Sequence, residues 1–132
     1  MRAVDTNLLT RYFRHDDARQ SPAARRVLTD ESVFVPKTVV IEFEWVMRDV
    51  YEHSRADIAR CLAILANMRN LTFEDEDQVT AALRHYLQGM DFADALHLAA
   101  SARCESFATF DGGLARRAAR LRLKPAVTVP RA

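Results

Sequence analysis

Glycine, proline and cysteine are scarce in this sequence, and their scarcity excludes several classes of protein. The 132 residues include 3 Gly, 4 Pro and 2 Cys, with no low-complexity tract and no repeat of fixed period. This composition excludes collagen-like, disordered and disulfide-framework proteins. Cys61 and Cys104 lie in helix-like apolar stretches and form no CxxC pair, so we expect buried free thiols. Regular elements joined by short connections are therefore expected.

Long apolar runs and an excess of one charge are also missing. Charged residues interrupt every apolar stretch well short of the ~20 residues that a membrane span needs. The N-terminal MRAVDTNLL has no hydrophobic signal region, so we expect a cytoplasmic protein with no membrane partner. The formal net charge of +1 gives no global field that would attract nucleic acid. Of the 19 basic residues only Lys37 and Lys124 are lysine, a bias that suits phosphate binding but also an Arg-rich genome.

Short apolar strands alternate with helical patterns along the chain. The strand-like segments are RAV (2–4), SVFV (32–35), LTF (71–73), SFATF (106–110) and VTV (127–129). Helical spacing of apolar residues predicts helices over 8–14, 21–28, 39–50, 55–68, 77–87, 92–102 and 114–121. This alternation predicts α/β architecture, with a parallel sheet covered on both faces. No linker interrupts the pattern, so we expect one domain over residues 1–132.

Two acids directly follow predicted strands. Asp5 follows the first strand and Asp111 follows the fourth, and sites in open parallel sheets form beyond the carboxyl ends of the strands. An Asp at a strand-to-helix turn is also common as a cap, so a structural role stays open for each. Thr6 and Asn7, which follow Asp5, are candidate caps of the first helix.

Further acids lie in helices with apolar faces. Glu42 comes three residues after Val39 and four before Val46, so it shares their side of the helix. A carboxylate there is paired, protonated or metal-bound, unless the position is only a boundary of the face. Asp94 lies in the first turn of DFADALHLAAS, where the helix N-terminus favours its ionised form. Asp91 takes the N-cap position, and a structural role is the expected one.

Carboxylates at such positions suit a hard divalent cation. Mg²⁺ typically takes one or two carboxylates and keeps several waters, and a metal so held assists phosphodiester cleavage. We predict that the acids converge to hold Mg²⁺ or Mn²⁺, the set being Asp5, Glu42, Asp94 and Asp111. The sequence offers no competing chemistry, because it has no GxSxG, no glycine-rich phosphate loop and no HExxH-like spacing.

Arginines near the two strand ends are candidate phosphate contacts. Arg11 and Arg14 follow the Asp5 turn, while Arg116 and Arg120 follow Asp111 and share one helical face. Arginines so placed can grip phosphates. A solvated helix face is the alternative for each of them.

The segments that carry these acids together resemble the PIN-domain ribonucleases, with the greatest likeness to VapC-type toxins of bacterial toxin–antitoxin pairs. They are DTNLL, VVIEFEWVMR, DFADALHLAAS and FATFD, and the similarity runs from Asp5 to about Val129. The resemblance implies a three-layer α/β/α sandwich with a central parallel sheet. It also implies Mg²⁺- or Mn²⁺-dependent endonucleolytic cleavage of RNA, often of a tRNA or rRNA loop.

Residue by residue, the family's acidic quartet is matched by the four acids named above. Thr6 matches the hydroxyl residue after the first Asp, and Thr109 matches the Thr before the last acid. Both are supporting positions, and we place Asn7 and Asp91 beside them. Gly112 and Gly113 depart from the pattern, since relatives often carry a charged residue after the last acid, and they imply a looser local loop.

The resemblance also implies partners. Family members usually form homodimers, and a small antitoxin encoded beside the toxin inserts a segment, often with an Arg, into the acidic groove. We therefore expect an RNA substrate, a cognate antitoxin and a homodimer.

Two other functions remain open at this stage. A signalling receiver domain is also a small α/β domain with Mg²⁺-binding acids, and LKPAVTV is faintly similar to its Lys-Pro element. A receiver needs paired acids near its start and a phospho-accepting Asp after a central strand, whereas Asp5 stands alone and Asp49 lies in a predicted helix. The other alternative is a catalytically silent, RNA-binding PIN module, which an intact quartet disfavours.

Overall fold

Parallel pairing of short apolar strands organises each of the two units into which the chain divides. The computed structural model describes residues 1–131. Unit 1 is Met1–Thr80, and unit 2 begins at Ala81. Each unit has its own parallel sheet, of three strands in unit 1 and two in unit 2. The predicted α/β class with parallel strands is confirmed, while the prediction of one domain over residues 1–132 stays a prediction.

The sheet of unit 1 has the order β1-β2-β3. Its strands are β1 (Arg2–Ala3), β2 (Val33–Val35) and β3 (Leu71–Phe73). In β2 and β3 the apolar residues at both strand ends are buried. Alternate side chains of a strand point to the same face, so β2 and β3 each bury the two side chains of one face.

The helices of unit 1 pack their apolar stripes inward. They are α1 (Thr6–Arg14), α2 (Gln20–Asp30), α3 (Lys37–Trp45) with a π-helical turn (Val46–Val50), and α4 (Arg55–Ala66). On α3 the buried apolar side chains are Val40 and Phe43, and Met47 continues their stripe into the π turn. Helix α5 (Glu76–Leu87) begins in unit 1 and ends in unit 2.

Unit 2 contains two further helices and a pair of strands. They are α6 (Phe92–Ala100), β4 (Ser106–Ala108), α7 (Gly112–Arg120) and β5 (Ala126–Thr128). Tyr86 and Phe92 are buried and meet edge to face, with ring centroids 5.5 Å apart. From α7, Leu114 and Ala118 are buried at the spacing of one helical turn.

Several predicted details are wrong at the helix ends. Asp5, rather than Thr6 or Asn7, caps α1. The predicted loop after Asp111 is absent, because α7 begins at Gly112 rather than Leu114. Both cysteines are free, but the predicted burial is wrong, because Cys61 is half-buried and Cys104 is exposed. Among the described residues no helix has the length and apolar character of a membrane span.

Candidate active site

Three aspartates of unit 2 line one pocket of about 230 Å³. They are Asp91, Asp94 and Asp111, and we call this the acid pocket. Met90, Gly113, Leu114 and Arg117 complete its lining. Two of the four predicted metal ligands therefore share a pocket in unit 2, together with Asp91, which was predicted to be a supporting residue.

Two helix N-termini place these aspartates. Asp91 is the N-cap of α6, and its carboxylate accepts a hydrogen bond of 3.0 Å from the Asp94 amide. Asp111 is the N-cap of α7, and its Oδ1 accepts from the Leu114 amide at 3.1 Å. Each capping bond occupies only one of the two carboxylate oxygens. The positive ends of both helix dipoles thus face the pocket and offset part of its negative charge.

Asp94 is electrostatically strained in the acid pocket. Its pKa is raised above its usual range, first by burial and then by the neighbouring charges of Asp91 and Asp111, while His97 opposes the shift. Burial removes water from the charged form, and like charges repel it. A cation placed among these carboxylates would relieve both causes.

Thr109 holds the turn that carries Asp111. Its Oγ1 accepts a hydrogen bond of 3.0 Å from the Asp111 amide. Its own amide donates to the Thr128 carbonyl of β5 at 2.9 Å. The hydroxyl therefore ties the end of β4 to the start of α7, which is the geometry a supporting residue needs.

Arg117 lines the acid pocket, whereas the predicted phosphate contacts Arg116 and Arg120 do not. The Nη1 atom of Arg117 donates a hydrogen bond to the Gly89 carbonyl. Within residues 1–131 it forms no salt bridge with a carboxylate. The sequence pattern favoured Arg116 and Arg120 because they are four residues apart on one helical face. Arg117 lies one turn after Gly113, and both residues line the pocket.

The two glycines after Asp111 leave room for charged side chains. A Cβ on Gly112 would lie 3.1 Å from Arg116 Nη1, and one on Gly113 would lie 3.2 Å from Asp111 Oδ1. Both contacts are tighter than ordinary van der Waals separation. Arg116 therefore lies back over the first turn of α7, and the expected looser loop is instead the first turn of a helix.

Asp5 and Glu42 belong to unit 1, where each carboxylate accepts one hydrogen bond from a neighbour. Asp5 Oδ1 accepts a hydrogen bond of 3.0 Å from the Leu8 amide and so caps α1. The buried Thr6 hydroxyl donates to Glu42 Oε1. Glu42 itself is exposed, so it lies at the edge of the apolar face of α3. Thr6 thereby positions Glu42, and its supporting role at a metal site stays a prediction.

Asn7, Arg11 and Arg14 have structural surroundings in unit 1. Asn7 and Arg11 line a cleft of about 280 Å³ together with Asp5 and residues of α2. Arg11 and Arg14 both donate to the Asp16 carboxylate at 2.9 Å. These pairs occupy donors that the sequence assigned to RNA, so that assignment stays a prediction.

Arg14 is held further by two neighbours in unit 1. Its guanidinium carbon lies 3.7 Å from the Tyr51 ring centroid, and its Nη1 lies 3.1 Å from His53 Nε2. A guanidinium stacked on an aromatic face and bonded on its edge has lost much of its freedom. Arg14 therefore has a structural role in this part of the fold.

Glu44 is the buried acid of α3, and the sequence pattern did not single it out. It is only 3% exposed. Arg48, one turn further along the helix, donates from Nε to its carboxylate at 2.8 Å. The pair compensates a buried charge, which assigns Glu44 a structural role.

The acid pocket offers the donor chemistry that a hard divalent cation requires. Among residues 1–131, no three His, Cys, Asp or Glu side chains are close enough to form a metal site as they stand. Mg²⁺ needs only one or two carboxylates and completes its shell with water. The crowded carboxylates that raise the pKa of Asp94 meet that smaller requirement, so the residues present fit such a cation.

Comparison with known proteins identifies one family. The sequence model of the PIN domain matches residues 2–120. No curated protein and no solved structure matches the chain significantly. The matched range covers the acid pocket and the environments of Asp5 and Glu42.

Proposed function

The chain belongs to the PIN domain family, a family of nucleases, and we propose that it is a Mg²⁺- or Mn²⁺-dependent endoribonuclease. The observation that carries this proposal is that Asp91, Asp94 and Asp111 line one pocket, where burial and the neighbouring charges raise the pKa of Asp94. Crowded like charges are costly, and perturbed groups in a pocket mark candidate functional sites. Family membership argues against the receiver-like alternative, which has a different fold family.

We assign the metal of this reaction to the acid pocket. Asp94 and Asp111 hold the cation, and Asp91 and Thr109 position them through the capping bond of α6 and the Thr109 hydroxyl. When bound, such a cation supplies Lewis-acid stabilisation of the charge that develops on the phosphate oxygens. The two helix N-termini stabilise the same charge from the protein side.

Arg117 is the proposed phosphate contact. It lines the acid pocket and keeps guanidinium donors beyond the one bonded to Gly89. A polyanionic substrate must approach a negative pocket, so a nearby fixed cation lowers the repulsion. Arginine also grips a phosphate with two parallel hydrogen bonds.

Asp5 and Glu42 join the proposed catalytic set through their match to the family's quartet rather than through a measured distance. Each has a protein donor on one oxygen, from the Leu8 amide and the Thr6 hydroxyl respectively. Those bonds fix the orientation of each carboxylate. They leave the second oxygen of each for a ligand.

We also propose that the protein is the toxin of a toxin–antitoxin pair and a homodimer, as the resemblance to VapC-type toxins implies. The negative acid pocket would accept an Arg of a small antitoxin. Expression in a bacterium should arrest growth unless the cognate small protein is co-expressed. Asp94→Asn protein should be harmless at the same level, and growth arrest by that variant would contradict a nuclease-based toxicity.

The endonuclease proposal is tested with purified protein on structured RNA. Cleavage should appear with Mg²⁺ or Mn²⁺, stop in EDTA and leave duplex DNA largely intact. Equal cleavage in EDTA would remove the metal from the mechanism. RNA that is bound but never cut would instead identify a silent RNA-binding PIN module.

A further inference from the structure

Phe110 is an exposed aromatic side chain next to the acid pocket. It is 80% exposed, while every other phenylalanine of the chain is buried or half-buried. Its neighbour Asp111 lines the pocket. A single exposed apolar residue is ordinary on a protein surface, so exposure alone would assign no role. Phe110 differs from such residues because it directly precedes Asp111, a proposed catalytic acid.

The backbone on both sides of Phe110 is fixed. Thr109 donates to the Thr128 carbonyl at 2.9 Å and accepts from the Asp111 amide at 3.0 Å, so this last bond spans Phe110. Asp111 in turn caps α7. The ring therefore projects into solvent from a turn held at both ends. A contact surface that is rigid before binding loses little conformational entropy when a ligand arrives.

We propose that Phe110 stacks on an unpaired base adjacent to the scissile phosphate of the RNA substrate, an inference that rests on the proposed nuclease function. Consecutive Cα atoms are ~3.8 Å apart, so the exposed ring lies one residue from Asp111. A nucleotide next to a phosphate that a cation holds at Asp111 is within reach of the ring. Aromatic side chains recognise single-stranded RNA by stacking on splayed bases. A phenyl ring has no hydrogen-bonding group, so Phe110 selects for an accessible base face rather than for base identity.

The first experiment compares steady-state cleavage of one RNA by wild type and by variants at position 110. Phe110→Ala should raise KM roughly 5- to 150-fold, the range that loss of one stacked base produces. The value of kcat should change little, because the contact forms equally in the ground and transition states. Phe110→Tyr should retain a KM near wild type. Phe110→Leu, which keeps apolar surface but no ring, should behave like Phe110→Ala.

Leu87→Ala is the matched control for loss of exposed apolar surface. Leu87 is 68% exposed and also lies in unit 2. Its KM should equal that of wild type. Thermal melts of both alanine variants should match wild type, since neither side chain packs in the interior. An equal rise of KM in Leu87→Ala would assign the effect to general surface change and overturn the proposal.

A second experiment pairs the protein change with a change in the RNA. One base at a time is removed around the mapped cleavage site, leaving the sugar–phosphate backbone intact. At one position, base removal should weaken binding to wild type but add little to the effect of Phe110→Ala. Such non-additivity identifies two groups in direct contact. Additive effects at every position would overturn the stacking proposal. The exposed ring would then be assigned to contact with a protein partner.

A failure of the nuclease proposal can be distinguished from a failure of the stacking proposal. Wild type that cleaves no RNA contradicts the nuclease proposal. The stacking proposal for Phe110 is then tested by a binding measurement. Trp45 is the single tryptophan, so Trp45→Phe/Phe110→Trp protein carries its only indole at position 110. Quenching of its fluorescence by single-stranded oligoribonucleotide supports the contact. Unchanged fluorescence at saturating oligonucleotide overturns it.

Discussion

Carboxylates in the two units meet very different neighbours. In unit 1 the neighbours are donors: the Leu8 amide for Asp5, the Thr6 hydroxyl for Glu42, and two arginines for Asp16. The arginines lower the pKa of Asp16, with the Arg14 hydrogen bond as the largest cause. Each of these three carboxylates therefore accepts a hydrogen bond from a neighbouring donor.

In unit 2 the carboxylates also face one another. Asp91 and Asp111 both raise the pKa of Asp94, on top of the larger effect of its burial. Arg117 lines the same pocket but forms no salt bridge with a carboxylate among the described residues. The same residue type thus stabilises one unit and strains the other. Crowded carboxylates with a perturbed pKa are typical of functional sites, where a bound ligand relieves the repulsion.

The largest expected effect is on catalysis. Asp94→Asn should lower kcat by about 100-fold or more, because removing one preorganised charged group costs on that order. Asp5→Asn should do the same, and the double variant should cost little more, since groups that act as a unit are not additive. Cleavage assays on one RNA with Mn²⁺ measure all three.

Glu105→Gln is the control for the catalytic comparison, because Glu105 is an exposed acid of unit 2 outside the acid pocket. It should keep wild-type kcat. Undiminished cleavage by Asp94→Asn would remove Asp94 from the site. Full activity of Asp5→Asn beside an inactive Asp94→Asn would instead restrict the chemistry to unit 2.

The next effect concerns metal binding without substrate. Wild type should gain roughly 2.7 kcal/mol of stability when free Mn²⁺ is about a hundred times its dissociation constant. Asp94→Asn should gain much less, since it lacks a proposed ligand, whereas Glu105→Gln should gain as much as wild type. Thermal melts in EDTA and in Mn²⁺ give the comparison. No metal-dependent shift in wild type would contradict the proposed site.

A smaller effect separates capping from crowding. Asp5→Ala should cost about 1 kcal/mol, because it removes the cap of α1, while Asp5→Asn should be nearly neutral. Asp111→Ala removes the cap of α7 but also one of the charges that crowd Asp94, so its net cost in EDTA should be smaller. Chemical denaturation of the three variants tests this. Equal costs for the two alanine variants would mean that crowding contributes nothing measurable.

The strands and most helices could be predicted because their signals are local. Val33–Val35 is an apolar run closed by Pro36, and Leu71–Phe73 is confirmed at its predicted bounds. Apolar spacing likewise places the helix that starts after Pro36. Such elements depend on periodicity and on residues that end a helix or strand, both of which a single sequence displays.

The start of α7 could not be predicted in this way. Glycine disfavours a helix interior, so the sequence pattern placed the start at Leu114 instead of Gly112. Asp111 caps α7 through a hydrogen bond from the Leu114 amide, and this bond is visible only in three dimensions. Arg116 and Arg120 were favoured because they share one helical face, but the residue that lines the pocket is Arg117.

Tertiary pairing was equally hidden from the pattern. Nothing in the spacing of Arg11 and Arg14 indicated that both would bind Asp16. Burial of acids on α3 was not predictable either, because the apolar spacing singled out Glu42 whereas Glu44 is the buried acid. Charged residues carry weak positional signals, because either a partner or solvent can satisfy them.

The smallest and most specific effect is a difference in pH dependence between two Asp→Asn variants, measured in EDTA. The pKa of Asp94 is raised in the folded protein, so ionisation destabilises the fold as the pH rises through that raised value. Asp94→Asn should therefore gain in Tm relative to wild type as the pH rises from about 4 to about 7.

Asp16 should give the opposite sign. Arg14 and Arg11 lower its pKa, so the stability that its carboxylate contributes is present above its usual pKa and is lost as the pH falls through the lowered value. Asp16→Asn should thus melt below wild type at neutral pH, and the gap should close on acidification. Tm differences that diverge with opposite signs toward neutral pH would establish that acids stabilise unit 1 and strain unit 2. Two parallel, pH-independent differences would show that neither shift exists and that the contrast between the units is one of position alone.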